Sequence, residues 1–467
     1  MAVATAQTIQ GDKISAESVD RLIAAYGGRA PRYTSYPTAI QFTPAITARQ
    51  YGAWLKGLKK ESGPLSAYLH IPFCDRMCWY CGCNTAVVNR RGPIEDYVAR
   101  LLGEIDLVAA TLSERLAIGN IHFGGGTPNM LAPDEIGAIL ARLAQRFDIT
   151  PDAEIAAEID PCTLTEQWVE AAAAGGMNRA SLGVQDFDPE VQKAINRIQP
   201  YETTARAVQL LRAAGAQSIN MDLIYGLPRQ TLEGLEKTID MALALGPDRL
   251  SLFGYAHVPW MKAHQKLIRE EELPGARLRY RMQRRAADLL EERGWRRLGL
   301  DHFARPDDGL AAAAAEGRMR RNFQGYTTDE APVLIGFGAS SIGRMPQGYV
   351  QNASAVPQWR EKLERGELPV ARGVEMTADD RFRAEIIERL MCDFAVDLAE
   401  VCAAHHRPLA DLDGSVARLA PMQADGIALV HGPHVEATQT GRDFIRSICA
   451  VFDAHLEQGA TRHSASI

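Results

Sequence analysis

Strand-like and helix-like segments alternate along most of this chain, and that alternation limits the fold more than any other feature. The strand-like segments are short, rich in β-branched and aromatic residues, and carry no helical apolar stripe. They lie at residues 66–73, 120–126, 152–160, 179–185, 218–227 and 249–256. Segments with helical spacing separate them, at residues 94–112, 133–147, 164–176, 201–215 and 231–246. This order predicts an α/β fold with parallel strands and right-handed crossovers.

A further helix at residues 278–294 and a strand at residues 296–303 continue the series. Six or seven such units predict a partial or full (βα) barrel, and we expect a partial barrel of about six units. Polar and glycine-rich residues follow the strands repeatedly. Those positions are the carboxyl ends of the strands, where parallel α/β folds place their sites.

The two ends of the chain depart from this rhythm, so we expect three regions, at residues 1–62, 63–355 and 356–467. The stretch 27–42 is rich in Pro, Gly, Tyr and Thr, and predicts an irregular N-terminal arm that covers the site. Beyond the barrel, residues 379–404 have helical spacing, and residues 417–456 suggest a helix, a short hairpin and a helix. This pattern predicts a small α-rich domain with some winged-helix character. The same hairpin could simply cover the barrel, so DNA binding is not inferred.

Composition argues against several classes of protein. The net charge of −7 disfavours a chain built mainly to hold nucleic acid. The first residues contain no apolar signal segment, and no apolar run approaches the roughly 18 residues that span a membrane. We therefore expect a cytoplasmic protein whose thiols are reduced.

Four of the eight cysteines fall within ten residues, at Cys74, Cys78, Cys81 and Cys83. A reducing compartment disfavours a disulfide, and zinc sites usually need a second CxxC pair, which is missing. A redox CxxC would prefer a thioredoxin-like setting. The CxxxCxxC spacing can instead hold three corners of a [4Fe–4S] cluster and leave the fourth iron open to a small chelating ligand. The isolated cysteines are expected to be small buried residues: Cys162, Cys392, Cys402 and Cys449.

Other strand ends also carry groups suited to a ligand. The glycine run 124–126 lets backbone approach a ligand closely. Carboxylates can accept hydrogen bonds, an amide can donate and accept, and a guanidinium can clamp a carboxylate. The candidates are Glu158, Gln185, Arg197 and Asp222. For the histidines near strand ends we expect packing or hydrogen bonding around the site: His70, His122, His257 and His302.

The cysteine spacing after a first strand, with the "FGGGTP" run, resembles the radical S-adenosylmethionine (SAM) superfamily. The resemblance implies that the amino and carboxylate groups of SAM bind the open iron. It also implies that an electron from the cluster splits SAM into methionine and a 5′-deoxyadenosyl radical. The glycine run would contact the SAM amino group.

Further blocks make the resemblance closer. "PRYTSYPTA", "CWYCGCN", "LGVQDF", "MDLIYGLP" and "RNFQGYTT" together are similar to the oxygen-independent coproporphyrinogen III oxidase (dehydrogenase) family. The family's implied reaction converts two propionates of coproporphyrinogen III to vinyls, giving protoporphyrinogen IX and CO₂ in haem biosynthesis. A haem-binding carrier, a radical methyltransferase and a tetrapyrrole ring-opening enzyme on the same scaffold are the alternatives. The arm and "CGCN" favour the decarboxylase.

The resemblance also implies roles for individual residues. Cys74, Cys78 and Cys81 would ligate the cluster, whereas Cys83 is either a bystander or a neighbour of cluster and substrate. One SAM molecule would contact Tyr68, Gly125, Glu158 and Ile342. A second would contact Tyr80, Gly126, Thr127, Gln185, Arg197, Asp222 and Ala256.

Four further residues are candidates for the substrate site, three of them cations for its propionates: Arg32, Tyr33, Arg320 and Arg321. The family often has Phe where this chain has Tyr80, a change that leaves a ring or main-chain contact possible. The expected partners are coproporphyrinogen III, an electron donor and an electron acceptor, with no nucleic acid or membrane span, and the chain is expected to be a monomer. The sequence does not identify the donor or the acceptor.

Overall fold

A computed structural model describes residues 15–28 and 30–456 of the 467-residue chain. Its α-helices are α1 (Ala16–Tyr26), α2 (Ala48–Lys56), α3 (Gly92–Thr111), α4 (Pro133–Arg146), α5 (Glu166–Ala174), α6 (Pro189–Ala194), α7 (Tyr201–Ala213), α8 (Leu232–Ala244), α9 (Ala276–Glu292), α10 (Gly309–Ala315), α11 (Val356–Glu364), α12 (Ala378–Asp393), α13 (Leu398–Ala404), α14 (Asp413–Ala417), α15 (Ala420–Ala424) and α16 (Ile445–Ala450).

The strands are β1 (Leu65–Ile71), β2 (Phe73–Cys74), β3 (Ala86–Val87), β4 (Ala117–Gly125), β5 (Asp148–Ile159), β6 (Arg179–Gln185), β7 (Ser218–Tyr225), β8 (Arg249–Gly254), β9 (Arg296–Leu298), β10 (His302–Ala304), β11 (Arg320–Asn322), β12 (Gly325–Thr327), β13 (Leu334–Phe337), β14 (Ile342–Met345), β15 (Gly348–Asn352), β16 (Val370–Glu375), β17 (Ala395–Asp397), β18 (Ala428–His431) and β19 (His434–Ala437).

One large sheet forms the centre of the molecule. Seven parallel strands run through it in the order β13-β1-β4-β5-β6-β7-β8, as far as the described residues show. Antiparallel strands extend both sides, with β14, β15 and β16 beyond β13, and β10 and β9 beyond β8. The outermost strands, β16 and β9, are not paired with each other in the described structure. The predicted partial α/β barrel is therefore confirmed, and the sheet is open.

The prediction for the last helix and strand of the series, residues 278–294 and 296–303, is wrong in one respect. Residues 296–303 do not form a parallel strand; they form the hairpin β9–β10, and β10 runs antiparallel to β8. The hairpin reverses at Gly299, whose φ of +54° suits glycine and whose missing Cβ leaves room for the Tyr326 ring. The seventh parallel strand is instead β13, which pairs with β1 on the other side of the sheet.

The N-terminal arm is more ordered than the sequence suggested. Helices α1 and α2 flank residues 27–42, which hold one short 3₁₀ turn at Ala39–Gln41 in the described part of the arm. Ser15 caps α1 by accepting from the Ser18 N–H, a signal that the composition-based interpretation missed. The arm packs on the C-terminal region, because Tyr33 and Tyr36 belong to the same apolar core as the C-terminal helices.

The C-terminal region is helical with a small sheet. The predicted helix, hairpin and helix over residues 417–456 correspond to α15, β18–β19 and α16. The predicted helix over 379–404 is interrupted: α12 ends at Asp393, its C-cap residue Phe394 adopts a left-handed φ of 59°, and β17 follows before α13. Strand β17 pairs with β19 and completes a three-stranded sheet. Among the described residues, no helix has the length and apolar character needed to cross a membrane.

A buried carboxylate links α3 to the sheet and to α11. Glu104 is 1% exposed and accepts hydrogen bonds from the Gly338 N–H at 2.7 Å, Asn352 Nδ2 at 2.7 Å and Trp359 Nε1 at 3.0 Å. Burial raises the pKa of Glu104 to about 7, although the three donors oppose that shift. The folded protein thus binds this proton more tightly than the unfolded chain, and the group's contribution to stability falls as pH rises from about 4.5 to about 7.

Replacing this carboxylate should destabilise the fold. Glu104→Ala leaves three buried donors without their acceptor, at about 1–3 kcal/mol each, so we expect a loss of about 3 kcal/mol or more. Urea unfolding measures it, with exposed Glu95→Ala on the same helix as the matched control. The loss in unfolding free energy should be larger at pH 5 than at pH 8. Only the wild type has the Glu104 carboxyl, whose contribution to stability falls as pH rises. Equal unfolding midpoints for both variants would contradict the role of Glu104.

Candidate active site

The carboxyl ends of the parallel strands open into one cavity of about 600 Å³. The cysteine loop, residues 74–83, forms one side, and the ends of β5, β6, β7 and β8 form the other. Most residues predicted for the site line this cavity: Arg32, Cys74, Cys78, Tyr80, Cys81, Cys83, Gly125, Gly126, Thr127, Glu158, Gln185, Arg197, Asp222 and Ala256. Residues far apart in sequence thus meet because parallel strands end at one edge.

Main-chain hydrogen bonds hold the cysteine loop against the sheet. Strands β2 and β3 pair in parallel on either side of the loop. The Gly126 N–H donates to the Ile71 carbonyl at 2.8 Å, and the Thr127 N–H donates to the Phe73 carbonyl at 2.8 Å. A Cβ on Gly126 would lie 2.6 Å from the Phe73 carbonyl oxygen. This position therefore needs glycine so that the loop and the end of β4 can make contact.

Each of the three CxxxCxxC sulfurs has polar neighbours. Cys74 Sγ lies 3.1 Å from Thr85 Oγ1 and 3.4 Å from Thr127 Oγ1. Cys78 Sγ accepts from Arg197 Nη1 at 3.6 Å. Such donors stabilise negative charge on sulfur, which suits thiolates that bind iron.

Cys81 is the most acidic of these thiols. Its Sγ accepts from the Cys83 N–H at 3.3 Å. A hydrogen bond from the Cys83 thiol, aided by that N–H, lowers the pKa of Cys81 to about 6 even though burial opposes it. The same contact raises the pKa of Cys83 well above its usual value. Cys83 therefore lies beside the three sulfurs as a proton-holding neighbour.

The three free thiols suit the corners of a [4Fe–4S] cluster that cysteines can hold. All three thiols are free and face one cavity. No three His, Cys, Asp or Glu side chains are grouped to hold one metal ion in residues 15–28 and 30–456. A cluster presents several irons and so takes sulfurs spread around it.

Arg197 is buried beside the cysteine loop and is 7% exposed. Its Nη1 lies 3.2 Å from Asp160 Oδ2, and its Nη2 donates to the Gly183 carbonyl at 2.8 Å. Arg76 Nη2 lies 3.5 Å from the same Asp160 oxygen. Arg197 is therefore not a surface charge, and Asp160 is a site residue that the sequence did not single out.

Glu158 ends β5 as a charged group. Its Oε2 accepts from the Gly125 N–H at 3.2 Å, and its Oε1 lies 3.4 Å from His122 Nε2. Burial alone would raise the Glu158 pKa, but these partners hold it below its usual value. A Cβ on Gly124 would lie 2.9 Å from Glu158 Oε1, so this glycine also permits the arrangement.

Asp222 on β7 is held by Ser181 Oγ at 3.0 Å and by Asn220 Nδ2 at 2.8 Å. Burial raises the pKa of Asp222. Gln185 has a left-handed φ of 69° at the end of β6 and is buried. Both side chains reach the cavity from neighbouring strands, as predicted.

Tyr68 and Ile342 do not line the cavity. They lie close together at its β1 side: Tyr68 pairs with Gly336, and a Cβ on Gly336 would meet the Ile342 carbonyl at 3.0 Å. The Tyr68 ring also lies beside Gly124, where a Cβ would meet both this ring and Glu158. Tyr68 O–H lies 3.0 Å from His70 Nδ1, which fits the bonding role expected for that histidine.

Three predicted substrate residues face elsewhere. Tyr33 is buried in the C-terminal core and donates to Asp453 Oδ2 at 3.0 Å. Arg321 is also buried; it donates to the Arg32 carbonyl at 3.2 Å and lies over the Tyr326 ring. Arg320 lies 3.7 Å from Glu388. They do not reach the cavity, because each is used in packing the arm or α12; Arg32 alone of the four lines it.

The cysteine loop has a second support that the sequence analysis did not find. Lys262 Nζ donates to the Cys83 carbonyl at 2.8 Å, and Gln265 Nε2 donates to the Tyr80 carbonyl at 2.9 Å. His264 Nε2 lies 2.7 Å from the Cys81 carbonyl oxygen. These residues lie just after β8, but nothing in their spacing identified a contact with a loop that precedes them by 179 to 185 residues.

The isolated cysteines behave mainly as predicted. Cys392, Cys402 and Cys449 are buried. Cys162 differs, because it is half-buried and its Sγ lies 3.6 Å from the Ile198 carbonyl. It follows the end of β5 and therefore lies at the rim of the site rather than in a core.

Comparisons with known proteins agree with this geometry. The family model of the Radical SAM superfamily matches residues 68–242. The chain is 49% identical over 447 residues to an oxygen-independent coproporphyrinogen III oxidase of Bradyrhizobium diazoefficiens, covering 96% of this chain and 99% of that protein. The chain belongs to the oxygen-independent coproporphyrinogen III oxidase family.

Other relatives support the same membership. An oxygen-independent coproporphyrinogen III oxidase of Cereibacter sphaeroides is 42% identical over 95% of this chain and 98% of that protein. The solved structure of coproporphyrinogen III oxidase from Escherichia coli, described as a radical SAM enzyme, has a TM-score of 0.86 and 37% identity. The match covers 91% of this chain and 98% of the Escherichia coli chain. Family membership implies a [4Fe–4S] cluster and SAM, and the cavity described above has residues suited to both.

Cluster assembly should depend on Cys74, Cys78 and Cys81 but not on Cys83. We expect Cys74→Ser, Cys78→Ser and Cys81→Ser to lose most iron after anaerobic reconstitution, since each removes one corner ligand. Cys83→Ser should retain it, and buried Cys402→Ser is the remote control. Iron per chain and the cluster's visible absorbance measure the outcome. An iron-free Cys83→Ser protein, with iron retained in one of the other three, would refute the assignment.

Proposed function

We propose that this chain converts two propionates of coproporphyrinogen III to vinyls, giving protoporphyrinogen IX and CO₂ without oxygen. The observation that carries the proposal is the meeting of the CxxxCxxC thiols, the glycine run and Arg197 at one cavity. Membership of the family over nearly the whole chain, including the arm, supports it. The superfamily alternatives, a haem carrier or a radical methyltransferase, have no observation here that favours them.

The cysteine loop is the proposed holder of the cluster, through Cys74, Cys78 and Cys81. When bound, the cluster and SAM supply the radical that removes a hydrogen from the propionate β-carbon, after which CO₂ and one electron leave. An electron donor supplies the cluster, and an electron acceptor takes the electron that leaves the substrate; neither is identified. The protein's task is to bind, orient and shield these groups.

We propose that the chain binds two SAM molecules, as its family resemblance implies. Glu158 and Gly125 at the β4–β5 ends, with Tyr68 and Ile342 behind them, form the proposed contacts of the first. The proposed contacts of the second all line the same cavity as Arg197: Tyr80, Gly126, Thr127, Gln185, Asp222 and Ala256. Two decarboxylations use two radicals, so a second molecule held nearby would serve the second propionate.

The substrate is proposed to bind against the arm side of the cavity. Ile224, Phe253 and Phe323 present apolar surface there, which suits a tetrapyrrole ring. Arg32 of the arm lines the same wall and donates to the Gly254 carbonyl at 3.2 Å. We propose the arm (1–62) as a cover over a barrel (63–355), with an α-rich C-terminal domain (356–467) anchoring that cover. Monomeric state and cytoplasmic location stay predictions.

Product analysis tests the function directly. Reconstituted protein, SAM, coproporphyrinogen III and a chemical reductant with an electron acceptor are incubated anaerobically. We expect protoporphyrinogen IX with two equivalents each of methionine, 5′-deoxyadenosine and CO₂. Cleavage of SAM with a methylated or ring-opened tetrapyrrole would favour the other enzyme classes, and tight binding without turnover would favour a carrier.

Arg197 gives a sharper test of the SAM site. Arg197→Lys keeps a positive charge near Asp160 and Cys78 but loses the planar fork that suits a carboxylate. We expect iron content close to that of the wild type and SAM affinity about tenfold lower. Arg197→Ala should lose ten- to a hundredfold in affinity, since a charged hydrogen-bond partner contributes about 1.5–3 kcal/mol.

Exposed Arg206→Ala on α7 is the matched control and should bind SAM normally. SAM affinity, iron per chain and product yield are measured on one anaerobic preparation of each protein. If Arg197→Ala binds SAM as tightly as Arg206→Ala, then Arg197 serves only to compensate Asp160, and the proposed second SAM site fails.

A further inference from the structure

The chain segment that follows β8 separates the main cavity from solvent. Val258 and Gln265 line the cavity, whereas Met261 and Leu267 do not. Met261 is 62% exposed and Leu267 is 56% exposed, the highest values for a methionine and a leucine among the described residues. The 3₁₀ turn Ala263–Leu267 therefore belongs to a thin wall, with the site on one side and solvent on the other.

Two lysines accompany these exposed apolar side chains. Lys266 is exposed within the turn, and Lys262 is half-buried just before it. Among the lysines of the described ranges, Lys193 alone forms an ion pair, so no described carboxylate compensates Lys262 or Lys266. We call Met261, Lys262, Lys266 and Leu267 the outer patch.

The acidic side chains that follow the outer patch do not neutralise it, because each already has a partner of its own. The pairs are Glu270 with His257, Glu271 with Arg269, and Glu272 with Arg229. The outer patch is therefore locally positive on a chain whose net charge is −7. A partner with an acidic surface is the one that this charge attracts.

Hydrogen bonds join the outer patch to the cysteine loop. Lys262 Nζ donates to the Cys83 carbonyl at 2.8 Å. His264 Nε2, in the same turn, lies 2.7 Å from the Cys81 carbonyl oxygen. Cys81 is a proposed cluster ligand, so one imidazole ring connects the wall to a residue whose sulfur would bind iron. Because electron transfer slows steeply with distance, this wall is a short route into the site.

The same route stays open when the main cavity is occupied. The inner side of the cysteine loop faces the cavity proposed for SAM and substrate. The contacts of Gly126 and Thr127, with the β2–β3 pairing, hold the loop to the sheet. The residues of the outer patch lie outside that cavity. A partner on the patch can therefore approach the loop while the ligands and the arm are in place.

We propose that the outer patch docks an acidic one-electron carrier protein, which reduces the cluster across the turn Ala263–Leu267. This rests on the proposed function, whose reaction needs an electron donor. In each encounter the carrier loses one electron and the cluster gains it, with no proton, atom or bond exchanged. Exposed apolar side chains with charged neighbours suit a transient protein interface, in which charge guides the approach. A small-molecule reductant would need no such surface.

Lys266→Glu tests the charge of the patch, and Met261→Asp tests its apolar contact. The probe is a plant-type [2Fe–2S] ferredoxin, an acidic one-electron carrier. Its dissociation constant from the cluster-containing protein is measured by calorimetry at low salt, with oxidised ferredoxin so that no turnover occurs. We expect each variant to weaken binding at least tenfold. The matched controls, Lys237→Glu on α8 and Leu409→Asp, change exposed residues and should bind as the wild type does.

A comparison of two reductants separates docking from damage to the site. SAM cleavage, measured as methionine formed, is driven either by reduced ferredoxin or by reduced methyl viologen, a small cation. With limiting ferredoxin, Lys266→Glu and Met261→Asp should cleave SAM at least tenfold more slowly than the wild type. With methyl viologen their rates should equal the wild-type rate, as should their iron per chain. Salt should slow the ferredoxin reaction of the wild type, since about 1 M salt shortens the screening length to about 3 Å.

Definite results would overturn the proposal. They are a wild-type protein that does not bind ferredoxin at low salt, an unchanged affinity in Lys266→Glu, or equal slowing of the variants with both reductants. Sedimentation tests the competing occupant, a second copy of the chain. A wild-type dimer that Met261→Asp converts to monomers would also overturn the proposal, because the patch would then be a dimer interface.

The two proposals fail in different ways. If wild-type protein forms no protoporphyrinogen IX but binds ferredoxin through Lys266 and Met261 and cleaves SAM with it, the function is wrong and the docking surface stands. If wild-type protein forms protoporphyrinogen IX with methyl viologen but neither binds ferredoxin nor accepts its electron, the function stands and the docking surface is wrong.

Discussion

The site depends on main-chain hydrogen bonds between the cysteine loop and the ends of β1 and β4. Gly126 and Thr127 donate to carbonyls at the start of the loop, and β2 pairs with β3 where the loop returns. Backbone contacts of this kind fix the loop independently of its side chains. The sulfurs of the loop are consequently free to face the cavity and accept hydrogen bonds from neighbours. The glycine run serves this attachment as much as any ligand, since a Cβ on Gly126 would separate the two segments.

A buried ion group then joins the loop to the strands across the cavity. Asp160 lies between Arg197 and Arg76, so one carboxylate compensates two guanidinium groups from different segments. Removing one member of such a group leaves charge uncompensated in a poorly solvated place, which is why charge-retaining variants are the informative ones.

The sequence predicted the elements that depend on local pattern. Parallel strands and their helices follow apolar periodicity, so most of them were identified correctly, and spacing alone singled out the cysteine and glycine motifs, which the structure brings to one cavity. The turn at Gly299 and the return of β13 beside β1 depend on contacts between distant segments, and periodicity contains no such information. The same reason explains why Asp160, Lys262 and Gln265 escaped notice. Each has an ordinary sequence context and gains its role only where two regions meet.

The placing of Tyr33 and Tyr36 has a consequence for how the chain matures. Tyr33 donates to Asp453, 420 residues later in the chain, and the Ala454 N–H donates to Tyr36 Oη across 418 residues. During synthesis the segment that carries Arg32 cannot dock until those distant residues have left the ribosome. The seven parallel strands and the cysteine loop lie earlier in the chain, ending at Phe337. The arm is therefore held by residues that are synthesised after every parallel strand, and Arg32 can reach its place in the cavity only once the strands around that cavity have been made.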